Sequence, residues 1–431
     1  MTMATAVASV AEICGAAKRA SRTLARLDGA VKDAALEAIA TALEQRLEEI
    51  LAANERDVQL GLEAEIGDAL LDRLRLDEGR VASIASAVRQ IAALGDPVGE
   101  VIEGRRLPNG LDVRKVRVPL GVVAVVYEAR PNVTIDAAAL CLKSGNAIVL
   151  RGSSSAEHSN AVLARVAAEA AVAAGLPDAS VSLVAGGGRG ELAELATQRD
   201  ALDLIIPRGG EGLKDALQAV ATVPVIYAAS GNCHVYVDAS ADEAQAEAIV
   251  LNAKLQRPGV CNAAETLLVH ADVAASFLPR VARSLSAAGV ALRADERALA
   301  LARESLADEP AASALQAATA ADWATEYLGP TLAIGVVDDV EQAIEHIGRY
   351  GSGHSEAIVT RETAAARAFQ LGVDAACVYV NASTRFTDGG EFGMGAEIGN
   401  STQKLHARGP IGLRELCTFK YLVEGDGQVR S

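Results

Sequence analysis

The sequence predicts an α/β protein that has two doubly wound domains and one small β-hairpin, and three features of the chain lead to this prediction. Apolar strands alternate with helical stretches from residue 121 onward, which is the pattern of a parallel sheet covered by helices on both faces. The alternation starts again after Asn232, which indicates a second domain of the same type. Two short alternating segments joined by Pro108-Asn109-Gly110 indicate a hairpin.

The predicted elements follow in chain order. Apolar residues recur every three or four positions over 31–54 and again over 81–94, so both stretches are predicted to be amphipathic helices. The hairpin is predicted within 98–118, where its protruding edge is suited to pairing with a second subunit. Predicted strands of the first domain are 121–127, 146–150, 181–184, 202–206 and 223–227, and those of the second are 234–237, 265–270, 332–337, 355–359 and 377–380.

Composition and charge exclude several classes of protein. Half of the 431 residues are hydrophobic, so the chain can bury a large core. The net charge of −16 argues against a nucleic-acid or membrane partner, and a small anionic substrate would need a local basic pocket. The six cysteines include no CxxC pair and no cluster at metal-binding spacing, so we expect a reduced, cytoplasmic protein without a metal site. We expect no signal peptide and no membrane span.

The segment 255–265 sets one cysteine on a tight turn between a predicted helix and a predicted strand. Pro258 and Gly259 fix the turn, and Arg257 can lower the pKa of a nearby thiol. A thiolate on such a turn can attack an acyl carbon and hold the product as a thioester, which makes Cys261 a candidate nucleophile. Free cysteines are also among the most buried residues, so a structural cysteine is an equal alternative from these residues alone.

Glycine-rich loops follow three predicted strands of the first domain, at 151–155, 185–190 and 207–212. The carboxyl ends of parallel strands share one edge of a sheet, and glycines there let backbone amides approach a phosphate. No loop has the GxGxxG fingerprint, so for any single loop an ordinary turn glycine is the alternative. Three such loops on one edge favour a phosphate-bearing ligand.

Several motifs, in this order and spacing, are together characteristic of one family. They are 119–123 (PLGVV), 127–134 (YEARPNVT), 143–146 (KSGN), 203–210 (DLIIPRGG), 231–237 (GNCHVYV), 256–262 (QRPGVCN) and 390–399 (GEFGMGAEIG). By these motifs the chain resembles the aldehyde dehydrogenase superfamily over nearly its whole length, and within it the gamma-glutamyl phosphate reductase family. The resemblance implies an aldehyde dehydrogenase-like fold and NADPH-dependent reduction of L-glutamyl 5-phosphate to L-glutamate 5-semialdehyde and phosphate, in L-proline biosynthesis.

The resemblance also implies roles for three residues. Cys261 is expected to be the catalytic thiol. Asn132 is expected to donate to the oxyanion, with the N-cap of a helix over 133–142 as its alternative role. Glu326 resembles the superfamily glutamate that holds the nicotinamide ribose hydroxyls, and an exposed surface glutamate is the alternative.

One departure from the superfamily concerns water. Hydrolytic members carry a glutamate that activates water against the thioester, and here Ala229 lies nearest to its place in the segment 228–232. Without a positioned base, water attack loses a factor of roughly 10²–10⁴. The resemblance therefore implies a thioester that is hydrolysed slowly enough to react with phosphate or hydride instead.

A second departure concerns the cofactor. NAD-preferring relatives place an acidic residue where it repels a 2′-phosphate, but the segment 151–154 offers one cation and two hydroxyls without a carboxylate. Arg151 is thus expected to bind the 2′-phosphate of NADPH, and a plain surface arginine is the alternative. The expected cofactor-binding residues are Arg151, Gly152, Ser153, Ser154, Arg208, Gly209, Gly210 and Glu326.

The substrate carries an α-carboxylate and a phosphate, for which Arg130, Arg257 and the glycine-rich segment 389–399 are candidate donors. Arg130 could equally be a salt-bridged scaffold residue. The expected domains are a cofactor-binding domain over 1–97 and 119–232, a catalytic domain over 233–403, and an oligomerisation hairpin and tail over 98–118 and 404–431. A homodimer or homotetramer and a functional contact with glutamate 5-kinase are also expected.

Two other functions fit parts of the sequence. An acylating dehydrogenase that acts on an acyl-coenzyme A would use the same thiol and lack the same glutamate. It differs from the acyl phosphate reductase in that its reverse reaction does not depend on phosphate. The other is a catalytically silent relative that serves as a scaffold for the kinase. The presence of Cys261, Asn132 and Glu326 speaks against a silent relative.

Overall fold

The structure is a computed structural model, and it describes residues 8–186, 188–227, 230–306 and 314–430. The chain divides into two compact units. Unit 1 comprises Met1–Tyr227, Gly393–Gly399 and Ile411–Ser431, and unit 2 comprises Ala228–Phe392 and Asn400–Pro410. The predicted tail over 404–431 is therefore divided between the two units.

Among the described residues, unit 1 contains nine α-helices and two sheets. Its helices are α1 (Val10–Leu24), α2 (Gly29–Gln45), α3 (Leu47–Glu63), α4 (Asp68–Leu74), α5 (Glu78–Ala93), α6 (Asn132–Lys143), α7 (Glu157–Ala173), α8 (Arg189–Ala196) and α9 (Glu211–Val220). Its strands are β1 (Val101–Arg106), β2 (Asp112–Pro119), β3 (Val122–Tyr127), β4 (Ala147–Arg151), β5 (Val181–Leu183), β6 (Leu204–Arg208) and, at the end of the chain, β16 (Cys417–Glu424).

Unit 2 is built around one larger sheet. Its helices are α10 (Glu243–Leu255), α11 (Ala271–Ala287), α12 (Glu296–Leu306), α13 (Val340–Tyr350) and α14 (Thr363–Gly372). Its strands are β7 (Cys233–Val237), β8 (Ala264–His270), β9 (Ala291–Ala294), β10 (Leu315–Ala317), β11 (Thr331–Val337), β12 (Ser355–Val359), β13 (Cys377–Val380), β14 (Asn400–Ser401) and β15 (Gly409–Pro410).

Both large sheets are parallel, as the sequence predicts. Unit 1 has the strand order β5-β4-β3-β6, and unit 2 has the order β10-β9-β11-β8-β7-β12-β13. Strand β3 shows why these segments form central strands, since its six residues are apolar, mostly β-branched and all buried. Such runs suit a strand that helices cover on both faces. The carboxyl ends of β4 and β6 carry the glycine-rich loops at one edge of the unit 1 sheet.

The predicted hairpin is also present. Strands β1 and β2 are antiparallel around Gly110, whose φ of +88° suits glycine, and β16 pairs with the other side of β2. This three-stranded sheet exposes Val101, Phe419, Tyr421 and Val423. Among the residues that the structure describes, no helix is both long enough and apolar enough to cross a membrane.

Two predicted elements were wrong in extent. The stretch 31–54 is not one helix, because the helical path breaks at Arg46, whose φ of −106° and ψ of 25° separate α2 from α3. The predicted strand 223–227 is reduced to a single bridge between Val225 and Ile205. Pro224 has no N–H to donate, so the ladder cannot extend through it.

Asn146 ties the C-terminal segment of the chain to the central strand of unit 1. It is fully buried, its Oδ1 accepts from the Gly121 N–H at 2.8 Å, and its Nδ2 donates to the Leu416 carbonyl at 2.9 Å. Both partners flank strands, β3 in one case and β16 in the other. One side chain therefore fixes where these two strands begin.

We expect Asn146→Ala to lower the free energy of unfolding by roughly 1–3 kcal/mol, because it leaves the part-buried Gly121 N–H without its acceptor and removes one of the two donors to the buried Leu416 carbonyl. The matched control is Asn109→Ala in the hairpin turn, where an exposed amide accepts one bond from the Leu111 N–H at 3.2 Å. The control should lose less than about 1 kcal/mol. Denaturant unfolding measures both, and equal losses would contradict the assignment.

Candidate active site

Cys261 lies on a turn between the end of α10 and the start of β8 in unit 2. The turn is closed by a bond from the Ala263 N–H to the Val260 carbonyl at 3.0 Å. All six cysteines are free, and Cys261 is partly exposed whereas the other five are buried. Its exposure argues against the alternative of a buried structural cysteine. Solvent therefore reaches part of this residue.

Gly231 packs directly against the backbone of the thiol turn. A Cβ at residue 231 would lie 1.6 Å from the Cys261 carbonyl oxygen and 2.5 Å from its Cα, so this close approach requires glycine. The Gly231 N–H in turn donates to Glu326 Oε1 at 2.7 Å. Glu326 is partly buried and bonded, so the alternative of an exposed surface glutamate was wrong. The structure thereby brings two predicted residues, Cys261 and Glu326, to opposite sides of one glycine.

A buried ion pair brackets the thiol turn. Lys254 Nζ and Glu265 Oε2 are 2.5 Å apart, and both side chains are fully shielded from solvent. Glu265 Oε1 also accepts from the Leu328 N–H at 3.2 Å, two residues beyond Glu326. Burial raises the pKa of Glu265 to about 7 although Lys254 opposes the shift, and burial lowers the pKa of Lys254. This pair was not predicted from the sequence, although a lysine and a glutamate in the otherwise apolar flanks of the turn could have indicated it.

Arg385 is a further cation beside the thiol, and the sequence analysis did not single it out. It sits in a 3₁₀ turn, Thr384–Phe386, and its Nε donates to Gln256 Oε1 at 2.8 Å. Burial and the charge of Arg257 lower the pKa of Arg385, whereas Asp388 and the Cys261 thiolate raise it. Arg257 itself is exposed. The Arg385 side chain is thus bonded to Gln256, the residue that precedes Arg257 at the start of the thiol turn.

Asn132 begins α6 in unit 1, where it is bonded within its own helix. Its Nδ2 donates to Asp136 Oδ2 at 2.9 Å, whereas Pro131 occupies the N-cap position and no side chain caps this helix. The alternative role as an N-cap was therefore wrong. The spacing of four residues is the helical one, so an Asn-to-Asp pair was readable from the sequence.

Asp136 links Asn132 to a predicted cofactor residue. Burial raises the pKa of Asp136 to about 6, while its bond from Asn132 and the charge of Arg208 oppose the shift. The Arg208 guanidinium packs against Gly399, where an added Cβ would lie 2.6 Å from Nη1. Arg130 lies just before α6, and its carbonyl accepts from the Val133 N–H at 3.1 Å.

Arg151 ends β4 and is only 7% exposed, so the alternative of a plain surface arginine was wrong. Its Nη2 donates to the Gly188 carbonyl at 2.8 Å. Burial lowers the pKa of Arg151, and the charge of Glu191 opposes this shift. The segment 151–154 has no carboxylate of its own, but Glu191 of α8 interacts with Arg151.

The loop residues after β4 and β6 are packed against this chain's own side chains. A Cβ on Gly152 would lie 2.1 Å from Asn160 Nδ2. The Ser153 hydroxyl accepts from the Ala129 N–H at 3.2 Å, and Ser154 opens a short 3₁₀ turn. The Gly210 N–H donates to Glu128 Oε2 at 3.1 Å, and a Cβ on Gly209 would lie 2.7 Å from the Glu128 Cδ. Gly152 and Gly209 therefore have a structural reason that is independent of any ligand, whereas Gly210 has room for a Cβ.

Ala229 and the glycine-rich segment 389–399 are two further features that the sequence singles out. Ala229 lies outside the described residues. The glycine-rich segment 389–399 belongs partly to each unit, and Gly395 (φ +79°) packs against Leu94, where an added Cβ would lie 2.4 Å from the Leu94 Cδ2. Within the described ranges, no three His, Cys, Asp or Glu side chains cluster in a way that could hold a metal ion.

Comparison with known proteins gives one consistent family. The aldehyde dehydrogenase family profile matches residues 2–305 and 317–420. Gamma-glutamyl phosphate reductase of Moorella thermoacetica is 56% identical over 414 residues, which cover 96% of this chain and 97% of the relative. The corresponding protein of Kineococcus radiotolerans is 55% identical over 422 residues, covering 98% and 96%. The crystal structure of gamma-glutamyl phosphate reductase from Thermotoga maritima has a TM-score of 0.94 and 44% identity, covering 98% of this chain and 100% of that one.

The two parallel sheets, the hairpin and the thiol turn define an oxidoreductase of the aldehyde dehydrogenase family, to which the chain belongs. The predicted fold class is confirmed. Within that family the chain belongs to the gamma-glutamyl phosphate reductases.

We expect Gly231→Ala to reduce dehydrogenase turnover by roughly 100-fold or more, because the new methyl group must displace the thiol turn. The rate at which iodoacetamide alkylates Cys261 should change as well, which mass spectrometry can follow. The matched control is Gly348→Ala in α13, where an added Cβ meets nothing within 4 Å. Unchanged turnover and alkylation in Gly231→Ala would show that the turn tolerates displacement.

We expect Asp136→Asn to change how stability depends on pH. The folded protein raises the Asp136 pKa from 3.8 to about 6, so it holds this proton more tightly than the unfolded chain. The stabilisation that Asp136 contributes is therefore fully present below its unfolded-state pKa of 3.8. It is lost as the pH rises through its folded-state pKa of about 6.

The asparagine variant lacks this loss, so its stability relative to the wild type should rise by roughly 1–2 kcal/mol between about pH 4.5 and about pH 7.5. Denaturant unfolding of both proteins at the two pH values measures the difference. A relative stability that stays constant or falls with rising pH would contradict the assigned pKa shift.

Proposed function

We propose that the chain reduces L-glutamyl 5-phosphate to L-glutamate 5-semialdehyde and phosphate with NADPH, through a thioester on Cys261, as a step of L-proline biosynthesis. The family membership supports the substrate class, since the relatives above are named gamma-glutamyl phosphate reductases. The observation that carries the chemistry is the partly exposed thiol on a turn held by Gly231 and bracketed by a buried ion pair. A rigid thiol is what covalent catalysis at an acyl carbon needs.

In the proposed mechanism, the Cys261 thiolate attacks the δ-carbonyl carbon, to which the phosphate is attached. The carbonyl oxygen becomes an oxyanion, the C–O bond to the phosphate then breaks, and inorganic phosphate leaves behind a thioester. Asn132 has two N–H bonds on Nδ2, and Asp136 accepts from this nitrogen, so a second N–H remains for the oxyanion. A hydrogen-bond donor at the oxyanion would stabilise the charge where it develops.

We propose that the strand ends of unit 1 hold the cofactor. Arg151 and the Ser153 and Ser154 hydroxyls offer donors to a 2′-phosphate, and Arg208, Gly209 and Gly210 follow the neighbouring strand β6. An added Cβ at Gly210 would meet nothing within 4 Å, so the backbone there is open to a ligand. Glu326 is proposed to bond the ribose hydroxyls. When bound, the nicotinamide supplies the hydride that reduces the acyl group.

Release of the product returns the thiol to its starting state. After reduction, the C–S bond breaks, the aldehyde forms, and the electron pair stays on the Cys261 sulfur as a thiolate. Arg257 lies four residues before the thiol and is proposed to favour that thiolate and to bind the anionic substrate, as is Arg130. Neither the formation of the thioester nor its reduction to the aldehyde needs a metal ion.

We also propose a homodimer or homotetramer that forms through the sheet of β1, β2 and β16. Phe419, Tyr421 and Val423 are each about half exposed on one strand, which is unusual for large apolar side chains on a free surface. Pairing of this sheet with a second subunit would cover them and the open edge of β1. A cytoplasmic location and a functional contact with glutamate 5-kinase stay predictions.

The test is the reverse reaction, with glutamate 5-semialdehyde and NADP⁺ or NAD⁺, in the presence and absence of inorganic phosphate. We expect turnover that requires phosphate, prefers NADP⁺, and falls by at least roughly 10³-fold in Cys261→Ala. The matched control is Cys14→Ala, a fully buried thiol in α1 whose removal should leave turnover unchanged. Turnover that requires coenzyme A instead would favour an acylating dehydrogenase, and no turnover with either acceptor would favour a scaffold.

A further inference from the structure

We infer that Arg385, together with Arg257, forms the receptor for the phosphate group of the acyl phosphate beside Cys261. The inference rests on the proposed function and adds to it a residue that decides which leaving group the site accepts. It follows from three observations on unit 2, namely how the Arg385 turn is anchored, where its side chain is held and which charges surround it. A fourth point is how far each anionic group of the substrate lies from the reacting carbon.

The backbone of the Arg385 turn is fastened to the residue next to the thiol. Thr384 is fully buried, and its Oγ1 donates to the Asn262 carbonyl at 2.7 Å. In return, Asn262 Nδ2 donates to the Thr387 carbonyl at 2.9 Å. The turn therefore moves with the Cys261 turn, although the two are 123 residues apart in sequence from Asn262 to Arg385.

The Arg385 side chain is oriented by one hydrogen bond that leaves its outer face available. Nε donates to Gln256 Oε1 at 2.8 Å, and Gln256 stands at the start of the thiol turn. This bond uses the inner nitrogen only. The two terminal nitrogens form the planar fork that matches two oxygens of a phosphate, and no hydrogen bond from them to another described residue is present.

The charges around Arg385 favour an anionic ligand. The neighbouring guanidinium of Arg257 repels it, and partial burial removes part of its hydration. One carboxylate, Asp388, lies within electrostatic range, and its Oδ1 already accepts from the Gly390 N–H at 2.9 Å. Arg257 and Arg385 carry two positive charges against the one charge of Asp388, so this group of three side chains has a net positive charge that an anionic phosphate would offset.

The chemistry of the substrate selects the phosphate over the α-carboxylate. The phosphorus is two bonds from the carbon that the thiol attacks, whereas the α-carboxylate carbon is four bonds away. Because Arg385 is anchored to the residue that follows the thiol, the nearer anion is the one it meets. Charge builds up on the phosphate oxygen as the C–O bond breaks, so donors placed there stabilise the transition state as well as the ground state. In the reverse direction the same fork holds inorganic phosphate as it attacks the thioester.

The test compares Arg385→Ala, Arg385→Lys and the control Arg361→Ala in the reverse reaction, with KM measured separately for phosphate and for the semialdehyde. Arg361 is a surface residue of unit 2 whose side chain is 68% exposed and paired with Asp242. We expect Arg385→Ala to raise the KM for phosphate roughly tenfold or more and to change the KM for the semialdehyde less than about twofold. Arg385→Lys should recover part of the loss, since it restores the charge but not the fork.

A second readout does not depend on turnover. Inorganic phosphate should protect Cys261 of the wild type and of Arg361→Ala from alkylation by iodoacetamide, and this protection should be lost in Arg385→Ala. Protection that persists in Arg385→Ala, or that is absent from the wild type, overturns the inference. So does a rise confined to the KM for the semialdehyde, which would assign Arg385 to the α-carboxylate.

The two readouts separate the inference from the proposed function. If phosphate protects the thiol through Arg385 but the wild type shows no phosphate-dependent turnover, the anion receptor stands and the proposed reaction falls. If turnover depends on phosphate but Arg385→Ala changes neither its KM nor the protection, the reaction stands and the receptor falls. A lower kcat with both KM values unchanged would make Arg385 a positioning residue for the thiol and would likewise overturn the inference.

Discussion

The buried ion pair between Lys254 and Glu265 is the interaction on which the thiol site depends. Removing two charges from water is costly, and such a pair contributes little net stability compared with apolar residues of the same volume. The pair matters for geometry, because Lys254 lies in the last turn of the helix before the Cys261 turn and Glu265 is the second residue of the strand after it. The second oxygen of Glu265 holds Leu328, so the loop that carries Glu326 is fixed by the same carboxylate. Loss of either partner would strand a buried charge beside the nucleophile.

Gly231 and Asn262 contact the thiol turn in positions that depend on the Lys254–Glu265 ion pair. Gly231 can approach the Cys261 carbonyl only if the turn keeps its path, since even a methyl group would overlap the oxygen. Asn262, the next residue, exchanges hydrogen bonds with the Thr384–Phe386 turn. The nucleophile is thus positioned through the contacts of its neighbours, and Cys261 itself is partly exposed. A rigid and partly exposed turn of this kind suits covalent catalysis.

The sequence predicts the parts of this protein that depend on local chemistry. Apolar β-branched runs identify β3 and the other central strands, and the turn residues before Cys261 identify the thiol site. Local patterns also mislead, as at Pro224, where a strand-like run cannot continue a ladder, and at Arg46, where a continuous periodicity hides a break. Arg385 was missed for a different reason, since it reaches the thiol through contacts more than a hundred residues distant in sequence. The resemblance to a family supplied the role of Cys261, but it offered nothing on the arginine that lies beside it.

The distribution of charge separates the two units chemically. In unit 1 three of the candidate ligand groups already interact with a carboxylate: Arg151 with Glu191, Arg208 with Asp136, and the Gly210 N–H with Glu128. A ligand that binds there must compete with these carboxylates, which favours selectivity for a well-matched ligand over tight binding of any anion. In unit 2, Arg257 and Arg385 outnumber Asp388, while Lys254 pairs with Glu265 on the buried side of the thiol turn. Two arginines at the thiol turn, in a chain with a net charge of −16, give a site suited to an anionic leaving group. An acyl phosphate carries such a group on the very carbon that a thiol attacks.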